Sequence, residues 1–215
     1  MLNYTIMQPE FLALSIVVLL FSVILHEVMH GFVARMFGDL TAERAGRLTL
    51  NPIPHIDLMG TILLPGLLLL PGAPILFGWA TPVPVNPLNF SNLRRGELLV
   101  SAAGILANFG LAILAAAIYH LLSALPLSFP PLLGSLLRFT VMINLVLGIF
   151  NLFPIPPLDG SKVLLSQLPF TLARAYEKLE PYGFIILLIL LVSGILQTLM
   201  GLILPILSSI LGFPS

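Results

Sequence analysis

Long stretches almost free of charged side chains limit what this chain can fold into. A membrane-spanning helix needs about 20 mostly apolar residues, and each stretch reaches or approaches that length. Only 8% of all residues are charged, whereas soluble domains average about 25%. The chain therefore predicts an all-α polytopic membrane protein. The stretches are residues 11–34, in which Glu27 is the one charge, and residues 58–93, 98–137, 139–158 and 181–215.

The apolar stretches also predict where the helices lie. Glycine and proline near the C-terminus indicate a break at Gly201 and Pro205, because proline lacks the backbone donor that a helix needs. We expect about four to six transmembrane helices in total. The expected helices cover residues 11–36, 97–122, 135–153 and 182–200, with a further short helix over residues 201–212.

The region after the first helix differs from a simple span. Alternating residues at 47–50 indicate a short strand. Residues 58–78 are apolar, but Pro65-Gly66, Pro71-Gly72 and Pro74 interrupt them. This pattern favours a broken or re-entrant element over one straight helix. The proline-rich residues 80–92 predict a loop.

Composition excludes several classes of protein. The chain has no cysteine, which rules out disulfides and thiolate metal sites. Its net charge is zero and it has no basic tract, so nucleic acid is not an expected partner. The N-terminus lacks the basic region and cleavage site of a signal peptide. We expect residues 1–215 to form one membrane domain.

A short polar motif lies inside the first apolar stretch. His26-Glu27-Val28-Met29-His30 matches the H-E-x-x-H pattern of zinc hydrolases. Two histidines four residues apart share one helix face, so both imidazoles can reach one metal ion. Glu27 can take a proton from a water beside that ion. Ionisable residues at membrane depth are costly and usually functional. The motif therefore predicts a metal hydrolase working within the membrane.

A catalytic zinc ion usually has three protein ligands. Asp159 is the predicted third ligand, because prolines end the preceding helix and its surroundings are apolar. A zinc ion would neutralise a carboxylate that is unfavourable there. The alternative for Asp159-Gly160 is an ordinary turn at a helix end. The other candidates for the third ligand are His55, Asp57, Glu97 and His120.

Asn151 lies at the same helix break, eight residues before Asp159. Its amide could donate to the oxyanion that develops during hydrolysis. The alternative role is a cap on the broken helix. Asn108 poses a related question, because an amide in the middle of a membrane needs a partner. The small residues around Gly104 are expected to serve helix packing.

Three segments together resemble the site-2 protease family of intramembrane zinc metalloproteases. They are the histidine motif at 26–30, the run from Asn151 to Asp159-Gly160, and residues 101–108. The last segment resembles the family's A-G-P-x-x-N element with isoleucine in place of proline. The resemblance covers about residues 10–200 and matches the minimal form without a PDZ or CBS domain.

The resemblance implies one zinc ion per chain, bound by His26, His30 and Asp159, with Glu27 as general base. It implies a transmembrane protein substrate, cleaved after local unwinding of its helix. A strand at 47–50 could pair with such a substrate. The implied location is the plasma membrane of a bacterium or archaeon. A regulatory membrane partner or a homo-oligomer is left open.

Two other classes use similar features. A transporter also has broken helices and charges near the membrane midplane. It would remain active when Glu27 is replaced by glutamine. A silent membrane scaffold would bind no metal. The combination of the histidine motif with Asp159-Gly160 argues against both, because neither needs a base beside two metal ligands.

Overall fold

The computed structural model describes residues 9–57, 81–126 and 129–213. Three of the described helices are long and apolar enough to cross a membrane: α1 (Pro9–Met36), α3 (Leu93–Ala124) and α4 (Pro131–Leu152). A short helix, α2 (Thr41–Arg44), follows α1. The expected all-α polytopic membrane protein is confirmed. The first three predicted spans lie within about four residues of the observed helices.

The C-terminal region contains four shorter helices: α5 (Asp159–Gln167), α6 (Phe170–Glu177), α7 (Gly183–Val192) and α8 (Ile195–Ile210). The segment 170–192 and α8 meet at an angle of 73°. Counted as one bent span, they bring the described total to four, which is the lower end of the expected range.

The predicted helix over residues 182–200 is wrong in its boundaries, and so is the break at Gly201 and Pro205. The break lies at Gly194, whose φ of +79° is left-handed and ends α7. The helix α8 then runs through both predicted break residues. Proline's φ suits a helix, and here the loss of one backbone bond does not end α8.

The helix α3 occupies the centre of the bundle, where it packs against α1, α4 and α5. Its small residues Ala112, Ala115 and Ala116 are buried against larger apolar side chains of α4. Small residues let membrane helices approach closely. α3 also contacts α1 and α5, and it is through α3 that these two helices are held near each other.

The predicted strand at residues 47–50 is wrong, because residue 47 has no regular secondary structure and residues 48–50 form bends. Local side-chain bonds occupy the backbone there: the Thr49 hydroxyl accepts from the Asn51 N–H, and the Thr49 carbonyl lies 2.9 Å from His55 Nε2. Such bonds compete with strand pairing. The predicted re-entrant element at 58–78 lies outside the described residues. Residues 81–86, part of the predicted loop, have no regular secondary structure.

Asp39 joins the end of α1 to the segment before α3. Its buried carboxylate accepts from the Asn86 N–H at 2.7 Å, the Asn89 amide at 2.8 Å and the Thr41 N–H at 3.1 Å. Burial by itself raises the pKa of Asp39, but these hydrogen bonds lower it below its usual value. The carboxylate thus stays ionised and holds the two segments together.

Arg94 ties α3 to the far end of α5. Its guanidinium donates to the carbonyls of Ser166 and, at 2.9 Å, Gln167. These are among the last carbonyls of α5, which have no partner within the helix. A cation at a helix C-terminus is also favourable. The contact fixes α5 against α3, and α5 begins at Asp159.

Candidate metal centre

Three predicted ligand residues come together at one point in the bundle. His26 and His30 lie one turn apart on α1, and Asp159 is the first residue of α5. His26 Nε2 is 3.0 Å from His30 Nε2 and 3.0 Å from Asp159 Oδ2. His30 Nε2 is 3.2 Å from the same oxygen. Within the described parts of the chain, this is the one group of three that could hold a metal ion.

The second nitrogen of each imidazole is bound to α3. His26 Nδ1 lies 2.7 Å from Asn108 Oδ1, and His30 Nδ1 lies 2.7 Å from the Val100 carbonyl oxygen. Both oxygens only accept, so each Nδ1 carries the hydrogen. In the neutral imidazoles, each Nε2 therefore presents a lone pair to the centre. Such outer hydrogen bonds orient histidine ligands in metal sites.

The centre fits a zinc ion. Two Nε2 lone pairs and one carboxylate oxygen face one another, and Asp159 Oδ2 is buried without a hydrogen-bond partner. Three acceptors this close repel one another unless a cation lies between them. Zinc accepts nitrogen and oxygen ligands at about 2.0–2.1 Å, which places tetrahedral ligand atoms about 3.3 Å apart. The observed separations of 3.0–3.2 Å are close to that value.

Two glycines make room for the ligands. A Cβ atom on Gly104 of α3 would lie 2.6 Å from His30 Nε2 and 2.7 Å from His26 Nε2. A Cβ atom on Gly160 would lie 2.2 Å from the Leu152 carbonyl oxygen. All three distances are far below van der Waals contact. Gly104 thus lets the imidazoles lie against α3, and Gly160 lets Asp159 lie against the end of α4.

We expect Gly104→Ala to weaken zinc binding by at least about 10-fold, comparable with loss of an outer-shell partner. The new methyl group must push both imidazoles away from α3 and from Asp159. The matched control is Gly110→Ala on the same helix, where a Cβ atom meets nothing within 4 Å. The control should keep zinc and be equally or slightly more stable, since alanine favours helix. Chelator competition on both variants measures the effect, and normal zinc affinity in Gly104→Ala would contradict it.

Glu27 lies beside the three ligands, and its position depends on a backbone contact. Glu27 Oε2 accepts from the Val83 N–H at 2.8 Å. The segment that carries Val83 is held by Arg47, whose guanidinium donates to the Thr81 carbonyl at 2.6 Å. One hydrogen bond therefore orients the carboxylate and leaves its other oxygen, Oε1, without a bond to that segment.

One cavity of about 730 Å³ contains all five residues predicted for the site. Asn151 is half-buried at its wall, and its amide donates to the Leu147 carbonyl at 3.1 Å. An amide nitrogen has two hydrogens, so one remains for another acceptor. The site residues in the cavity are His26, Glu27, His30, Asn151 and Asp159, and the ionisable residues Glu97, Lys162, Glu177 and Glu180 also line it.

The alternative third ligands do not join this group. The ring of His55 is engaged with the Thr49 carbonyl, and His120 Nε2 lies 2.8 Å from the Leu211 carbonyl oxygen. Glu97 lines the cavity but is not part of the three-ligand group, and neither is Asp57. Both histidines thus bind backbone carbonyls away from the three-ligand group.

Several residues of the site were not predicted from the sequence. The sequence pattern assigns Gly104 only to helix packing, and the backbone groups of Val83 and Val100 carry no signal in the sequence. The partner that Asn108 requires is His26, with Asn144 on its other side. The sequence signal for Asn144 was an amide within an apolar helix, the same signal that singled out Asn108.

The fold and the site together define a membrane-embedded helical protein with a His-His-Asp group that could hold a metal ion. Peptidase family M50 matches residues 127–194. "Putative zinc metalloprotease YwhC" of Bacillus subtilis is 40% identical over 196 residues, covering 89% of this chain and 84% of that protein. No solved structure matches the chain.

Two mycobacterial proteins, each called "Putative zinc metalloprotease Rip2", are also similar to this chain. Those of Mycolicibacterium smegmatis and Mycobacterium tuberculosis H37Rv are 32% and 34% identical over 181 residues. The aligned part covers 83% of this chain and 66% of each relative. The chain belongs to peptidase family M50 and is a zinc metalloprotease. The expected resemblance to the site-2 protease family is thereby confirmed.

Proposed function

We propose that this metalloprotease cleaves peptide bonds within or next to the transmembrane segments of membrane proteins. The observation that carries the proposal is the depth of the centre: two of its three ligands lie inside α1, a helix long and apolar enough to span a membrane. A hydrolase centre at that depth meets membrane-embedded chains. The proposed location is the plasma membrane of a bacterium or archaeon, with residues 1–215 acting as one domain.

The residues proposed to hold one zinc ion are His26, His30 and Asp159. Zinc bound there supplies a Lewis acid that polarises a carbonyl and makes water more acidic. Glu27 takes the proton from the attacking water and returns it to the leaving amine. The Val83 N–H keeps the Glu27 carboxylate in place for both transfers. Asn151 donates its remaining amide hydrogen to the oxyanion that forms on the substrate carbonyl.

The substrate must enter the cavity as an unwound chain. An α-helix with its side chains is about 10–12 Å wide and hides its carbonyls in internal bonds. A cavity of 730 Å³ has the size of a small-molecule pocket, so it holds a few residues of extended chain. The proposal therefore includes local unwinding of the substrate helix before cleavage.

The direct test uses a purified transmembrane reporter and the zinc-loaded enzyme. We expect cleavage in the transmembrane segment, loss of cleavage with a chelator, and recovery when zinc is returned. A second reporter carries the same cleavage sequence in a soluble linker and should be cut poorly. If the soluble reporter is cut and the transmembrane one is not, the metalloprotease stands but its intramembrane role does not.

Asn151→Ala should lower turnover by about 10²–10³-fold, the usual cost of one oxyanion donor, with zinc content near normal. Asn151→Asp should be slower still, because its charge repels the developing oxyanion. A cap would behave differently: alanine would reduce stability and zinc together, and aspartate would substitute well. Turnover per bound zinc and thermal stability of both variants distinguish these roles. Near-normal turnover of Asn151→Asp would show that Asn151 is a cap.

A further inference from the structure

A buried chain of amide and hydroxyl groups runs from His26 away from the cavity. Asn108 Oδ1 lies 2.7 Å from His26 Nδ1, and Asn108 Nδ2 donates to Asn144 Oδ1 at 2.9 Å. Asn144 Nδ2 donates to Ser22 Oγ at 2.9 Å. Both asparagines are 0% exposed, and Ser22 is 1% exposed. The chain thus connects α1, α3 and α4 without contact with solvent.

Backbone carbonyls at the far end set the direction of every bond in this chain. Asn144 Nδ2 also donates to the Thr140 carbonyl at 2.9 Å, and the Ser22 hydroxyl donates to the Val18 carbonyl at 2.8 Å. A carbonyl can only accept. Asn144 must therefore point its nitrogen toward Thr140 and its oxygen toward Asn108.

The same logic continues to the metal centre. Because Asn144 offers an oxygen, Asn108 must offer its nitrogen in return, and its oxygen then faces His26. His26 Nδ1 must carry the hydrogen of that bond, which leaves the lone pair on Nε2. If Asn108 turned over, its NH₂ group would face Nδ1. The ring would then carry its hydrogen on Nε2, directed at the metal position.

We propose that Asn144 is a positioning residue of the zinc centre. It touches neither His26 nor the metal position, but it keeps Asn108 in the one orientation that leaves His26 Nε2 free to bind. This inference rests on the proposed zinc site. Two fully buried amides are costly unless every group is paired, and leucine in either position would fill similar space in an apolar bundle. Asn108 contacts the ligand His26 and Asn144 contacts Asn108, which explains why an apolar bundle contains two buried amides.

The test measures zinc affinity and the stability of the metal-free protein in full-length variants. We expect Asn108→Leu to weaken zinc binding by about 10–100-fold, as loss of an outer-shell partner does. Asn144→Leu should weaken it by about 10-fold, near the lower end of that range. Asn108 Nδ2 then keeps only the long 3.5 Å contact with the Ser22 carbonyl, so the amide turns over more readily. The control is Ser208→Ala, which removes a buried hydroxyl bonded within its own helix α8. It should leave zinc affinity unchanged.

Asn144→Asp separates positioning from packing. An aspartate, ionised or protonated, still offers an oxygen to Asn108. Asn144→Asp should therefore bind zinc more tightly than Asn144→Leu, although its buried carboxyl makes it the less stable of the two. A packing role predicts the opposite, with zinc affinity following stability. If Asn144→Asp does not fold, the double variant described next decides the question.

The double variant Asn108→Leu/Asn144→Leu tests whether Asn144 acts through Asn108. If it does, the second substitution adds no further loss of zinc affinity to Asn108→Leu. If the two substitutions instead reduce zinc affinity independently, so that their factors multiply in the double variant, the proposal is overturned. Wild-type zinc affinity in Asn144→Leu would overturn it as well. Failure of the zinc site itself would look different: His30→Ala would then bind zinc as tightly as the wild type.

Discussion

Asp159→Ala should bind zinc much more weakly than the wild type. The loss of affinity should exceed the factor of about 10–100 that removal of an outer-shell partner causes. The substitution removes one of three ligands and its negative charge, and it leaves two imidazole Nε2 atoms only 3.0 Å apart. Asp159→Asn should also bind zinc poorly, although it keeps the volume of the side chain and an oxygen. Comparison of the two variants separates loss of charge from a change in packing.

Metal analysis and chelator competition on purified protein measure this effect. The control is Glu97→Gln, because Glu97 was a candidate third ligand and lines the same cavity outside the three-ligand group. We expect that variant to keep a full complement of zinc. Wild-type affinity in Asp159→Ala, or loss of zinc in Glu97→Gln alone, would contradict the assignment of Asp159.

Glu27→Gln should keep zinc and the fold but lower cleavage by about 10²–10⁴-fold, the usual contribution of general acid–base catalysis. Glutamine cannot take a proton from water. Its amide oxygen can still accept from the Val83 N–H, which lies 2.8 Å from Glu27 Oε2. The segment before α3 should therefore stay in place, so the loss reports on proton transfer.

Cleavage of the transmembrane reporter, expressed per bound zinc, measures this second effect. Thermal stability and zinc content serve as internal controls and should match the wild type. Near-wild-type cleavage by Glu27→Gln would contradict the role of general base. If that variant instead supported transport of a solute across vesicles, the alternative class of transporter would be favoured.

The helices could be predicted because their signal is local. An apolar stretch of sufficient length is enough to predict a span, and α1, α3 and α4 follow that rule. The C-terminal region could not be predicted as well, because several glycines and a proline could each have ended the helix. Gly194 adopts the left-handed conformation and Gly201 does not. Residue type alone does not distinguish them.

The strand at 47–50 failed for a related reason. Alternation of side chains reports which face a residue would occupy in a strand, but a strand also needs free backbone groups to pair. The Thr49 carbonyl is engaged by the His55 ring, and the Asn51 N–H by the Thr49 hydroxyl. These contacts depend on the folded conformation of residues 49–55, which the alternation of residue types does not report.

The candidate site divides in the same way. His26 and His30 were recognisable because helical spacing puts them on one face, and Asp159 because a carboxylate in an apolar setting needs a cation. Their convergence within 3.2 Å is a property of how α5 packs on α3. The need for glycine at position 104 follows only from the two imidazoles that lie against it in the folded protein.

The sequence by itself thus determined the class of protein, the long membrane helices and the residue types offered to a metal. These depend on composition and on short-range periodicity, which a chain carries before it folds. The tertiary structure decided which nitrogen of each imidazole carries the hydrogen. Asn108 and Asn144 make that choice for His26, and the Val100 carbonyl makes it for His30. It also decided which loop residue holds Glu27. Those choices depend on bonds between residues up to 122 positions apart, and no local pattern encodes such a pairing.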